Sequence, residues 1–322
     1  MKSVPFGETS RNVSALGFGC NALLGDRSGE GLSMLEAAYD AGIRYFDVAR
    51  SYGYGDAEAV VGRFAKGRRD QLVIASKFGI EPLTAVAAAG PIKALGRRVM
   101  KLSPALRAFI GRQARTMMRT SAFDVASARR SLETSLRMLQ TDYIDVYLLH
   151  DCSVSDPESP GLLAFLQAMV QEGKIRFFGI GTGIDEVLAI SRSHPQFAAV
   201  QQFQSSVLRP NSERFQRLPG AIVTHGALAG SYAALRAHFA NRPGIAADWS
   251  RQLDADCANP SVLTALMLNH AVSRNGRGPV LFRSREPQRI RANAEAVDRP
   301  AFSSDQLSRF AALARQSEVA PL

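Results

Sequence analysis

The sequence predicts an α/β chain wound as a (β/α)8 TIM barrel. Three observations carry that prediction: short apolar runs alternate with amphipathic helical stretches along most of the chain, the runs number eight, and ionisable residues stand at the carboxyl ends of several of them. Parallel strands need a long crossover, usually a helix, so the alternation argues for a parallel sheet, and eight rounds of it argue for closure. With 322 residues, 46% of them hydrophobic, the chain has enough material for a sizeable core.

The strands are expected at 13–17, 45–47, 72–77, 144–150, 175–180, 199–203, 221–224 and 280–282, in runs such as LVIASK and IDVYLLH. The intervening helices are expected at 31–40, 57–64, 125–139, 161–171, 184–193, 260–275 and 287–296, with a last one at 305–316. Two stretches break the rhythm. The connection 79–123 greatly exceeds the roughly 2–6 residues of an ordinary βα loop, so it reads as a loop or lid inserted into one barrel domain spanning 1–322. The stretch 231–259 reads as irregular, and no internal repeat of 20–50 residues is evident.

Net charge is +10, but it is concentrated. From Pro82 to Phe123 there is no acidic residue, while Lys93, Arg97, Arg98, Lys101, Arg107, Arg112, Arg115 and Arg119 all fall there, leaving the rest of the chain nearly neutral. The insert mixes these cations with Leu, Ile, Met and Phe, as two short amphipathic helices parted near Pro104 would. A lid over an acidic or bulky apolar substrate is the sharpest reading, with membrane-surface contact or a plain surface insertion beside it. Nucleic-acid binding is not expected, because the charge sits in one insert and no recognition motif accompanies it. The amino-terminal residues hold no apolar run of signal-peptide length and no window approaches a membrane span, so a cytoplasmic protein is expected. Cys20, Cys152 and Cys257 have neither zinc-site spacing nor a number that suits a disulfide framework. Reduced structural thiols and no metal site are expected.

In a barrel the strands hold the geometry and functional groups project from their carboxyl ends. Asp47 closes its strand, Tyr52 follows five residues later, Lys77 ends LVIASK and His150 ends IDVYLLH. These four types suit proton transfer coupled to hydride transfer. A phenol of pKa about 10 is a poor acid or base at pH 7 unless a neighbouring cation stabilises its phenolate. Lys77 supplies a cation, Asp47 fixes it, and His150 donates to a substrate oxygen.

On those residues the chain resembles the aldo-keto reductases over nearly its whole length. VPFGETSRNVSALGFGC looks like that family's amino-terminal hairpin and first strand, and AGIRYFDVARSYGYGDAEAVVGRF matches its second βα unit. The resemblance implies Asp47, Tyr52, Lys77 and His150 as catalytic residues, with the D-x-A-x-x-Y-G spacing selecting Tyr52 over Tyr54. It implies a nicotinamide cofactor without a Rossmann GxGxxG. FRSREPQRIRAN resembles the segment that grips the adenosine 2′-phosphate, which puts Arg283, Ser284, Arg289 and Asn293 at contact positions and favours NADPH. Around the nicotinamide, Gln202 matches the carboxamide-binding Gln, Gly181 and Thr182 stand where a Ser-Asn pair is usual, and Ser205 stands where a stacking Tyr is usual. Phe203, Phe177 or a residue of the insert is expected to substitute for that ring. The function implied is an NADPH-dependent carbonyl reductase or alcohol dehydrogenase acting on a small aldehyde, ketone or alcohol. The alternatives are an NAD-dependent sugar dehydrogenase, which Gly181 tolerates, and a nucleotide-sensing barrel with little turnover. Substrate and oligomeric state stay open.

Overall fold

The computed structural model describes residues 1–9, 11–23, 29–82, 122–215, 217–317 and 319–320. The basic part of the insert, 83–121, lies outside them, so the lid expectation falls there.

The chain opens with an antiparallel hairpin, β1 (Ser3–Pro5) against β2 (Asn12–Ser14). Eight parallel strands then close into a barrel in the order β10-β3-β4-β5-β6-β7-β8-β9. These are β3 (Leu16–Gly19), β4 (Tyr45–Asp47), β5 (Val73–Phe78), β6 (Ile144–His150), β7 (Ile175–Gly181), β8 (Val200–Gln204), β9 (Ala221–His225) and β10 (Val280–Phe282). The expected first strand, 13–17, is two elements: Val13 and Ser14 belong to the hairpin, and the barrel strand begins at Leu16. A single apolar run spans both because both pieces are buried.

Strands covered on two faces lose the polar alternation of a half-exposed sheet. In β6 the first six positions, Ile144 to Leu149, are all buried. Close approach is built in where strands crowd. A Cβ on Gly179 of β7 would lie 1.9 Å from the Val200 carbonyl oxygen, so only glycine fits there. The amino-terminal end of the barrel is plugged from the hairpin by Phe6, whose ring lies 6.0 Å from both Tyr45 and Phe177. Buried Asp145, near the start of β6, is held there by Arg69 and Arg176 at 2.8 Å each and by the Ile74 amide at 3.0 Å.

Helices α1 (Glu30–Asp40), α2 (Ala57–Ala65), α3 (Val125–Leu139), α4 (Leu162–Gln171) and α5 (Ile184–Ser193) follow their strands as crossovers. The stretch expected to be irregular holds two helices instead, α6 (Ala229–Asn241) and α7 (Pro243–Leu253). They pack with α8 (Pro260–Asn275) and α10 (Ser304–Gln316) around Trp249, which meets Phe239 at 5.1 Å and Phe310 at 6.1 Å. α6 is rich in alanine and carries no clear apolar stripe, so its periodicity was not there to be read. Helix α9 (Pro287–Asp298) lies between α8 and α10 in the chain. Among the described residues no helix is long and apolar enough to cross a membrane, and all three cysteines are buried and free of disulfide bonds.

Candidate active site

Three adjacent strands, β4, β5 and β6, deliver three of the four expected site residues to one rim of the barrel, and the turn after β4 delivers the fourth. Asp47 ends β4, and Tyr52 begins a short 3-10 turn, Tyr52–Gly55, before α2. Lys77 lies in β5 and His150 ends β6. Lys77 Nζ donates to Asp47 Oδ1 at 2.7 Å and Oδ2 at 2.8 Å, to the Val48 carbonyl at 3.1 Å and to the Tyr52 hydroxyl at 3.4 Å. The Tyr52 ring meets the His150 imidazole edge-to-face, with centroids 5.9 Å apart. The four side chains form one cluster.

Burial sets the protonation states. It raises the Tyr52 phenol above its usual value, while the Lys77 ammonium pulls in the opposite direction and offsets part of the rise. Burial also opposes the charge on Lys77, but Asp47 and the Tyr52 phenol together outweigh it and leave the lysine above its ordinary value. His150 is pushed down to about 3 by burial, with Lys77 and His225 adding to the effect. At neutral pH the site therefore holds a phenol, an ammonium and a neutral imidazole.

A second carboxylate, which sequence reading passed over, ties the cluster together from behind. Glu58 of α2 is almost fully buried, takes Arg50 Nη1 at 3.0 Å and accepts from Ser76 Oγ at 2.6 Å. Arg50 precedes Tyr52 by two residues and Ser76 adjoins Lys77. One carboxylate thus holds the backbones that carry the phenol and the ammonium. Its position in DAEAV marked only a helix start, so no local signal distinguished it.

The cluster forms the floor of a cavity of about 430 Å³, also lined by Gly181, Thr182, Gln202, Asn21, Asp151 and His225. Gln202 donates through Nε2 to Asp47 Oδ1 at 3.1 Å, while its Oε1 is buried without a partner among the described residues. A Cβ on Gly181 would come within 3.3 Å of that oxygen, so glycine keeps the space beside it open. An unpaired buried carbonyl is costly and fits a ligand amide, which makes this wall suited to a nicotinamide carboxamide. Thr182 donates to the Cys152 carbonyl at 2.9 Å.

A larger cavity, about 1070 Å³, contains the expected phosphate-binding segment, Arg283, Ser284, Arg289 and Asn293. It shares Leu228, Ala229 and Arg283 with the first, so the two form one groove. Within it Arg289 is already paired to Glu286 at 2.9 Å, and Ser284 Oγ accepts from the Glu286 amide at 3.1 Å ahead of α9. Ser205 is the expected residue that the fold does not bring into the groove. It lines neither cavity, and its hydroxyl is used inside the loop after β8, accepting from the Ser212 amide at 3.1 Å and donating to Ser212 Oγ at 3.3 Å.

A closed parallel barrel whose ionisable rim opens on a long groove is the architecture of a barrel enzyme. The chain belongs to the aldo/keto reductase family, whose model matches residues 15–315, and which comprises NAD(P)-dependent oxidoreductases. Among relatives it resembles the D-threo-aldose 1-dehydrogenase of a Pseudomonas species, 31% identical over 190 residues that cover 55% of this chain and 52% of that protein. The chain spans about half the length of the curated relatives it matches. It superposes on the holo form of an aldo-keto reductase from Bacillus halodurans with a TM-score of 0.70 at 22% identity, covering 99% of this chain and 98% of the other. An aldo-keto reductase from Klebsiella pneumoniae, solved in complex with NADPH, aligns with a TM-score of 0.62 at 22% identity over 98% of this chain and 96% of that one. At these identities the structural likeness shows the fold alone.

Proposed function

We propose that the chain is an NADPH-dependent carbonyl reductase or alcohol dehydrogenase in which Tyr52 gives the proton to, or takes it from, the substrate oxygen. The observation that carries this reading is the Lys77 ammonium, bound to both Asp47 oxygens and 3.4 Å from the Tyr52 hydroxyl, at the floor of the groove. A bound NADPH supplies the hydride. Arg283, Ser284, Arg289 and Asn293 would hold its 2′-phosphate end, and Gln202 with Gly181 and Thr182 would hold its carboxamide end.

Burial keeps the proton on Tyr52 at neutral pH, so the phenol is available as an acid in the reducing direction. As its proton passes to the carbonyl oxygen, the adjacent ammonium stabilises the phenolate left behind. Asp47 and the Val48 carbonyl keep that ammonium from wandering, so little reorganisation accompanies the transfer. His150, neutral because burial disfavours its cation, donates a hydrogen bond to the same substrate oxygen.

The test is a fluorescence titration with NADPH and NADH, followed by an aldehyde, ketone and sugar panel on wild type and Tyr52→Phe. The variant should bind coenzyme like wild type and lose at least about a hundredfold in turnover, the usual contribution of general acid catalysis. Full turnover in Tyr52→Phe removes the acid assignment. Binding without turnover on the whole panel favours a nucleotide-sensing barrel. The pairing of Arg289 with Glu286 is the observation that favours the sugar dehydrogenase alternative, because an already compensated guanidinium offers less to a 2′-phosphate. Faster turnover of a sugar with NAD than with NADP would select it.

A further inference from the structure

Tyr52 stands five residues past Asp47 on a turn with little stiffness of its own. Pairing of the β4 segment with β5 continues as far as the Val48 amide, which donates to the Ala75 carbonyl at 2.8 Å, and the Tyr52 amide then donates back to the Ala49 carbonyl at 3.0 Å. Glycines follow at 53 (φ +59) and 55 (φ +92), in backbone conformations that residues with a Cβ rarely adopt. At the phenol itself the tie to Lys77 is long, 3.4 Å. The hydroxyl keeps that distance only as well as the turn beneath it is fixed.

Arg50 lies in this turn, lines neither cavity of the groove, and has a side chain only 11% exposed. Its guanidinium spreads between two carboxylates from different segments. Nη1 donates to Glu58 Oε2 at 3.0 Å, and Nη2 lies 3.8 Å from Oε2 of Glu81, in the segment that leaves β5. Glu58 in turn accepts from Ser76 Oγ at 2.6 Å, so the fork is anchored to the residue beside Lys77. Pro82, next to Glu81, closes on the same turn: a Cβ on Gly55 would lie 3.4 Å from the Pro82 Cβ. A planar guanidinium carries donors on separate nitrogens and spans two carboxylates at once, where a lysine ammonium is a single point.

We propose that Arg50 is a positioning residue of this chain: by tying the turn of Tyr52 to Glu58 and Glu81, it fixes where the phenol stands relative to Lys77. The inference rests on the proposed reading that Tyr52 moves the proton, and it adds a group that acts on the reaction only through another residue. The dependence is steep, because misplacing a reacting group by about 1 Å can cost on the order of a hundredfold in rate. Removing the guanidinium should therefore lower kcat and leave coenzyme affinity where it was.

The test uses the full chain as wild type, Tyr52→Phe, Arg50→Met and Arg50→Met/Glu58→Gln, with both Arg50 changes also made in the Tyr52→Phe background. The paired change leaves no uncompensated carboxylate beside Ser76, so it replaces Arg50→Met should that variant fail to fold. Thermal unfolding without coenzyme identifies the folded variants. Fluorescence titration gives NADPH affinity, and rates at high enzyme concentration on the fastest substrate of the aldehyde, ketone and sugar panel give kcat and KM. Each Arg50 variant should bind NADPH within about twofold of wild type and lose at least about tenfold in kcat. In Tyr52→Phe the same change should cost less than about twofold, because its effect passes through the phenol. Wild-type kcat in Arg50→Met/Glu58→Gln overturns the proposal, since the guanidinium would then serve only to neutralise Glu58. A loss as large in Tyr52→Phe as in wild type overturns it too, by marking a general structural role. Full turnover in Tyr52→Phe, or none by wild type on the whole panel, is instead a failure of the reading of the site, and this inference falls with it.

Discussion

Removing one member of the Asp47–Lys77 pair should cost far more than removing both. Both residues are nearly inaccessible, at 3% and 2% exposure, and Nζ has acceptors at 2.7, 2.8 and 3.1 Å, two of them the Asp47 oxygens. Asp47→Asn keeps the shape and removes the charge, leaving a buried ammonium facing an amide. Breaking such a pair costs about 3–5 kcal/mol, because the remaining charge is left uncompensated. Lys77→Met strands the carboxylate and should cost a similar amount. In Asp47→Asn/Lys77→Met no buried charge remains, so a double-mutant cycle by urea unfolding should return a coupling of roughly 3 kcal/mol. The pH dependence gives an independent sign. In wild type the folded lysine sits above its usual value of 10.5, so the pair's stabilisation is fully present below about 10.5 and is lost as pH rises through the folded value. In Asp47→Asn burial dominates, the folded value falls below the unfolded one, and stability should instead increase as pH rises toward about 10.5. A cost under about 1 kcal/mol for Asp47→Asn, or single effects that simply add, would refute the description of the pair as a dry, mutually dependent unit.

Two further outcomes follow from groups away from the site. His270 of α8 is buried with neither ring nitrogen partnered, and burial holds its pKa down to about 4. Unfolded chains take up that proton near pH 6.5, so stability should fall as pH drops from about 6.5 to about 4, by at most roughly 3 kcal/mol from this residue. His270→Leu should reduce that slope and raise stability at pH 7, read from unfolding midpoints between pH 4 and 7; an unchanged slope contradicts the assignment. Gly179→Ala should prevent recovery of folded protein, or cost on the order of 4 kcal/mol or more, because its Cβ would lie 1.9 Å from the Val200 oxygen. Gly173→Ala, at φ +73 with open space around it, is the control and should cost only about 1 kcal/mol.

The cluster of Asp47, Lys77 and His150 was legible in the sequence because strand ends are local features: an apolar run followed by an ionisable residue marks itself without knowledge of the fold, whereas Tyr52, in the turn after β4, was marked by its spacing from Asp47. Barrel closure was legible for the same reason, since eight apolar runs separated by helical stretches leave few other arrangements. Helix α6 was not, because an alanine-rich helix facing other helices has no polar–apolar stripe to mark it; α7 does carry an apolar stripe, Ala246, Trp249 and Leu253, and was still read as irregular. Sequence alone thus determined which ionisable residues stand at strand ends and how many strands close the barrel. Only the tertiary structure decided that Glu58 clasps the segments of Tyr52 and Lys77, that Ser205 turns inward, and that His225 lines the groove. The physical reason is that these depend on packing between segments distant in the chain, where no residue's own neighbours record what it will meet.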